Sequence, residues 1–224
     1  MKKYAAIVAA VTLTLGLHGL GAAETVEIEP ELPQPVYGGT PLDYWGENLE
    51  TPSFRPIPPI VAPEGTANVA LGQPVTTSAG APTMGSLDMI TNGVKDAGDE
   101  HVVELEPGHQ WVQIDLGEKM DIYAIVMWHF HSEERVYFDV AVHVGADADM
   151  TEGVEVVYNN DHDNSAGLGV GEDQEYVESY RGRIVRMEDG VEGRFVRLYS
   201  NGNTTDDANH YIEVEVYGKP VAAR

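Results

Sequence analysis

The chain of 224 residues carries 37 acidic against 13 basic side chains, giving a formal charge of −24, and it contains no cysteine. So acidic a surface argues against the nucleic-acid and anionic-lipid partners that a basic patch would serve; it suits divalent cations and neutral ligands. Without cysteine there is no disulfide, no thiol nucleophile and no lipid-anchored N-terminus, so the fold must rest on its core, helped at most by a metal.

In chain order, residues 1–23 read as an export signal. Lys2 and Lys3 precede an apolar run from Ala5 to Leu17 that is too short to span a bilayer, and Gly21-Ala22-Ala23 offers small residues to a peptidase. The expected product is secreted or periplasmic, with no membrane span after cleavage. Residues 24–66 hold nine of the thirteen prolines, from Pro30 to Pro63. Proline fixes φ and removes a donor, so this stretch is expected to be extended and to lack helix or central strand. Its aromatics, Tyr37, Tyr44, Trp45 and Phe54, imply that part of it lies against the following domain or against a surface-protein partner.

From residue 67 the pattern changes to strands. "WVQIDL" (111–116) alternates, with Val112, Ile114 and Leu116 on one face, whereas "DIYAIVMWHF" (121–130) is apolar on both faces and reads as a central buried strand. "RVYFDVAVHV" (135–144) sends Val136, Phe138, Val140, Val142 and Val144 inward, and "RFVRLYS" (194–200) and "HYIEVEVYG" (210–218) repeat the two-residue period. Gly, Asn and Asp clusters separate these runs, and no segment sustains a 3.6-residue period. An all-β fold follows: a jelly-roll β-sandwich of about eight antiparallel strands over 67–218, with a short tail at 219–224.

Several of these words are shared with a known family. "NVALGQPVTTSA" (68–79), "ITNGV" (90–94), "WVQIDLGEKMDIYAIVMW" (111–128) and "RFVRLYSNGN…YIEVEVYG" (194–218) resemble, in order and spacing, the discoidin or coagulation factor 5/8 type C domain of the galactose-binding-like superfamily. The stretch from Trp128 to Arg181 departs from that pattern, as in a divergent bacterial branch. The resemblance implies an eight-stranded jelly roll, usually non-catalytic, that binds a sugar or other ligand through loops at one end. It also implies a structural Ca2+ held by the loop after the first strand and a glutamate of the last strand. Here that loop is "ITNGVKDAGDE", with Asn92 where an aspartate is usual, Asp96 and Asp99 as carboxylate donors, and Glu213 as the closing glutamate. An amide oxygen still coordinates calcium, but the missing charge weakens the site.

The residues themselves offer further candidates. In "VYNNDHDNSAGLGVGEDQE" (157–175), Asp161, Asp163, Ser165 and Glu172 fall at positions 1, 3, 5 and 12 of a calcium-loop template, yet Ala166 replaces the glycine of position 6 and strand-like segments flank it. An EF-hand is therefore not expected. Asp161 and Asp163 remain a weaker alternative calcium site, and the loop reads equally as a solvated turn or as the wall of a ligand mouth. His129 and His131 leave one face of a strand end, a spacing that suits either two metal nitrogens or hydrogen bonding to a ligand. A sugar site would draw on His129, His131, Arg135, Asn160, Asp161, Asn201, Asn203 and Asn209. No nucleophile elbow, HExxH or phosphate loop is present. The reading is an exported, non-catalytic module that binds carbohydrate or another extracellular ligand. The alternative is a structural or protein-interaction module whose 24–66 segment docks a surface protein, and a hydrolase comes third.

Overall fold

The structure, a computed structural model, describes residues 24–36 and 43–222. The export signal read at 1–23 lies outside them, as do Tyr37 and the end of the C-terminal tail. The strands are β1 (Thr25–Ile28), β2 (Ile60–Pro63), β3 (Ala67–Asn68), β4 (Val75–Thr77), β5 (Val103–Leu105), β6 (Gln110–Trp128), β7 (Ala141–Gly145), β8 (Glu155–Asn159), β9 (Arg183–Ser200), β10 (Asn209–Tyr211) and β11 (Glu213–Pro220). Among the described residues, helix is confined to two 3₁₀ turns, Leu87–Thr91 and Asp99–His101. The fold is the all-β sandwich of antiparallel strands that the alternation demands.

Two long strands belong to both layers. The first half of β6 pairs with β4 (Ile114 opposite Val75) and with the second half of β9 (Ile114 opposite Val196). Its second half pairs with β11 (Val126 opposite Glu215) and with the first half of β9 (Ile125 opposite Val185). The register shifts between Asp115 and Met120, where Gly117 takes φ 82°, a left-handed conformation that favours glycine. The ladder runs β3-β11-β6-β9-β7-β8 and folds over on itself. Val112, Ile114, Val142 and Leu198 from one half thereby enclose a common core with Ile125, Met127, Val214 and Val216 from the other.

The outer face of the second layer carries a core of its own. Ala124, Val126 and Trp128 pack with Phe130, Ile212 and Tyr217 beneath Ile60 and Ala62, each only 1% exposed. These two come from β2, which forms a two-stranded ribbon with β1 (Ile28 opposite Ile60). The second apolar face of 121–130 is thus covered by the N-terminal segment. The proline-rich chain leading to β2 is fastened by arginines of the β9 side. Arg181 Nη2 donates to the Arg55 carbonyl and Arg186 Nη2 to the Pro58 carbonyl, each at 2.7 Å, and Arg183 Nη1 pairs with Glu50 at 2.8 Å. An extended proline-rich chain has few N–H groups to pair in a ladder but keeps its carbonyls, and guanidinium donors use them.

The strand expected over 135–144 is only partly formed. Val136, Val140, Val142 and Val144 are buried as the alternation requires, but regular pairing starts at Ala141. Asp139 sits at φ 52°, which breaks the pleat and leaves Phe138 half-buried. No helix among the described residues is long and apolar enough to cross a membrane.

Candidate functional site

The break at Asp139 opens onto a cleft of about 470 Å3 at one end of the sandwich. Phe138 and Asp139 form part of it. They are tied to the neighbouring strand end by Phe138 N–H donating to the Gly202 carbonyl (3.1 Å) and Asn201 N–H donating to the Phe138 carbonyl (2.9 Å). Asn201 therefore lines the same cleft, and its Nδ2 donates to Asp139 Oδ2 at 2.8 Å. A non-glycine residue with positive φ is uncommon, although Asp tolerates it better than most. Here Asn201 and the Ser165 hydroxyl, which donates to Asp139 Oδ2 at 3.0 Å, hold the carboxylate in place.

The loop after β8 supplies the opposite wall through Asn160, His162, Asp163 and Ser165. Asp161 organises it from below: its two oxygens accept the backbone N–H groups of Ser165 and Ala166, each at 2.9 Å, and its side chain is fully buried. Asp163 Oδ1 also accepts Ser165 N–H at 2.9 Å, and the bonds from Ser165 lower its pKa. Asn160, 2% exposed, accepts Val140 N–H on Oδ1 at 2.7 Å, while its Nδ2 has no hydrogen-bond partner. Asp139, Asp161 and Asp163 bring carboxylate oxygens within 4.8 Å of one another, among the described residues the one acidic or histidine cluster so close. Glu172, position 12 of the calcium-loop template, stays exposed to solvent.

A third wall comes from the proline-rich segment. Asn48 lines the cleft beside Glu175, and the backbones pair there, with Glu50 N–H donating to the Glu175 carbonyl (2.9 Å) and Glu175 N–H to the Asn48 carbonyl (3.1 Å). Tyr44 donates its hydroxyl to the Glu175 carboxylate at 2.9 Å and meets the Phe138 ring edge-on at 5.7 Å. Burial and that carboxylate push the Tyr44 phenol up to about 12, so it stays a donor at physiological pH. Among the described residues, no lysine or arginine lines the cleft.

Of the residues expected to bind a ligand, Asn160 and Asn201 line this cleft and Asp161 braces it. The others are elsewhere. His129 is 0% exposed, with Nδ1 against Glu178 Oε2 at 3.0 Å and its ring stacked on Tyr137 at 4.3 Å. His131 is buried against the Lys95 carbonyl at 2.9 Å. Arg135 pairs with Asp206 (2.9 Å) and Glu133 (3.3 Å), fixing the 203–207 turn. Asn203 satisfies that turn internally, and Asn209, 0% exposed, donates to the carbonyls of Glu106 and Gly108 at 2.9 Å each. These side chains make their bonds within the fold, away from the cleft lining, and His129 Nε2, His131 Nδ1 and Arg135 Nε are buried without a hydrogen-bond partner. Asn48, Asp139 and Glu175 line the cleft without having been singled out in the sequence, and Phe138, expected to point inward to the core, lines it as well.

The loop named for calcium by resemblance has a different character. Glu213 is fully buried. Its Oε2 accepts Gly93 N–H at 3.0 Å, its Oε1 has no hydrogen-bond partner, and burial pushes its pKa up to about 8. Asn92 is exposed, its Oδ1 accepting Val94 N–H at 2.8 Å, and Asp96 is exposed as well. A buried carboxylate oxygen lacking a donor fits a hard cation, with backbone carbonyls of the loop as the natural co-ligands.

No family model and no curated protein matches the chain. Solved structures do. A family 89 glycoside hydrolase from Clostridium perfringens matches at 19% identity and a TM-score of 0.50, over 69% of this chain and 15% of that one. The CBM32 of AlyQ, in complex with 4,5-unsaturated mannuronic acid, matches at 16% identity and a TM-score of 0.47, over 64% of this chain and 92% of that one. A chitosan-binding module of a chitosanase/glucanase from Paenibacillus sp. IK-5 matches at 17% identity and a TM-score of 0.45, over 68% and 99%. At such identities the likeness is one of fold, and the chain spans 15% of the hydrolase's length. The likeness to the hydrolase is one of fold alone, and this chain's chemistry has to be read from its own cleft.

Proposed function

We propose that this chain is an exported, non-catalytic carbohydrate-binding module of discoidin type, and that its ligand is a neutral polysaccharide. The observation that carries the reading is the cleft itself: five separate stretches of chain converge to line it with amides, carboxylates, a hydroxyl, an imidazole and one phenyl ring. Sugar hydroxyls donate and accept together, and paired amide and carboxylate groups such as Asn201 and Asp139 offer both roles side by side. Asp139, Asp163 and Glu175, with no lining cation, make the cleft repel uronates and other anionic sugars. Affinity electrophoresis through gels containing galactomannan, glucomannan or alginate tests this. The expected result is retardation by a neutral polymer and none by alginate, with Asp139→Asn weakening retention about tenfold, the loss of one charge-assisted hydrogen bond. Asn tolerates the positive φ at this position, so the fold survives the change. No retardation by any neutral polymer would sink the proposal.

We further propose that Glu213 closes a structural Ca2+ site with the 92–96 loop. The buried, unpartnered Oε1 supports it. The ion would contribute charge neutralisation and stability to the loop, and takes no part in binding sugar.

A further inference from the structure

The cleft has polar groups in abundance but little open aromatic surface, since Phe138 is half-buried and met by Tyr44. Pyranose rings present an apolar face as well as hydroxyls, and a flat aromatic side chain is the usual complement to that face. One such side chain belongs to a residue whose two chain neighbours, Tyr44 and Gly46, both meet the lining residue Glu175. Trp45 is 89% exposed, whereas Trp128 is fully buried and Trp111 is half-covered by the Arg197 guanidinium at 4.2 Å.

Exposure alone would say little about Trp45, but its backbone is pinned on both sides to the cleft wall. On one side Tyr44 is bonded to Glu175 and packed on Phe138. On the other, Gly46 lies so close to Glu175 Oε2 and the Tyr44 ring that an added Cβ would overlap both. Leu49 N–H then donates to the Gly46 carbonyl (3.2 Å), and Leu49 bridges to Glu175 in parallel fashion. Glu175, Phe138 and Asn48 are themselves lining residues. A large, exposed apolar ring is thus carried by a short stretch of chain that is anchored on both sides of it to a lining residue of the polar cleft. Its neighbours use their side chains, or the lack of one, to seat the segment.

Resting on the carbohydrate reading above, we infer that Trp45 is a stacking platform for a second sugar unit and that the proline-rich segment is part of the binding site. The ligand is then an extended neutral chain, one residue held in the cleft and the next lying across the indole, in preference to a single terminal sugar. Pre-organisation is the advantage of this arrangement: the tight Gly46 contact and the Tyr44–Glu175 bond hold the backbone on either side of the indole before ligand arrives.

The test is affinity electrophoresis of the full chain and its Trp45→Ala and Trp45→Phe variants in galactomannan or glucomannan, with the circular dichroism of each variant recorded in parallel. Because the indole is exposed, both variants keep the melting temperature of the unaltered chain. Trp45→Ala loses about tenfold or more in affinity for the polymer that retards the unaltered chain, and Trp45→Phe loses less. Binding of the polymer to the unaltered chain also shifts tryptophan emission to the blue, and Trp45→Ala abolishes the shift. Equal retardation of the unaltered chain and Trp45→Ala overturns the stacking role while leaving the carbohydrate reading intact. Failure of the unaltered chain to be retarded by either polymer overturns both.

Discussion

Histidines show what a side chain's neighbours in the sequence conceal. His129 and His131 leave the same strand end and suggest a surface pair, but Glu178, nearly fifty positions later, meets His129 inside the molecule, and Lys95 offers its carbonyl to His131. Nothing local announces either partner, because both come from irregular chain. Asp139 was obscured for the opposite reason: within an alternating run it looked like one polar position among inward valines, and only its positive φ turns it toward a cleft. His143 carries a residue-scale consequence for acid stability. It is 7% exposed, edge-on to Tyr199 at 4.9 Å, and opposite Arg197 across the β7–β9 ladder. Burial first, then the arginine, lowers its pKa from 6.5 to about 4. Above 6.5 the ring is neutral in both folded and unfolded chains, so its contribution is complete. As pH falls from 6.5 toward 4 the unfolded chain takes up the proton and the folded one resists, so stability is lost, by up to roughly 3 kcal/mol. Urea titrations at pH 7 and pH 4 check it: His143→Phe, which keeps the ring and cannot titrate, should lose less stability over that interval than the unaltered chain.

At the scale of elements, the strands of the sandwich were legible because burial on one face writes a two-residue period into the sequence. The run 121–130, apolar on both faces, also announced that something must cover its second side. What covers it was not legible. β2 is four residues long, lies next to a chain crowded with prolines, and pairs with β1 more than thirty positions earlier. Composition alone makes such a segment look like a spacer, since the signal for packing is two apolar residues, Ile60 and Ala62, in an otherwise extended run. In an acidic chain carboxylates are the abundant partners for arginine, yet Arg181 and Arg186 donate to carbonyls of the proline-rich segment. If the ribbon completes the outer core, truncating Ile60 to Ala should be as damaging as a cut in the main core. The expected cost is about 2–4 kcal/mol in urea unfolding, with increased dye binding as Val126 and Trp128 become exposed. A change below about 0.5 kcal/mol would mean that the ribbon merely rests on the sheet.

For the molecule as a whole the dominant fact is charge. With a formal charge of −24 the folded chain repels itself, and any cation that is bound more tightly by the native state relieves the repulsion. Simple screening and a specific site make different predictions. Sodium chloride raises the melting temperature gradually, without saturation, because it acts on every exposed carboxylate within a Debye length. Calcium at the Glu213 site acts by mass action: at a hundredfold excess over its dissociation constant it contributes about 2.7 kcal/mol and then levels slowly. Glu213 is the discriminating residue because it is buried, so screening does not reach it, and because its Oε1 lacks any other partner. Thermal melts at fixed ionic strength should therefore show an increase of several degrees with millimolar Ca2+, reversed by chelator. In Glu213→Gln the increase should vanish while the response to sodium chloride is unchanged. If Glu213→Gln kept the full calcium response, the ion would be acting elsewhere, and the nearest candidate would be the Asp139–Asp161–Asp163 cluster in the cleft. Sugar retention would then itself become calcium-dependent, an outcome that the same electrophoresis gels, run with and without chelator, would register directly.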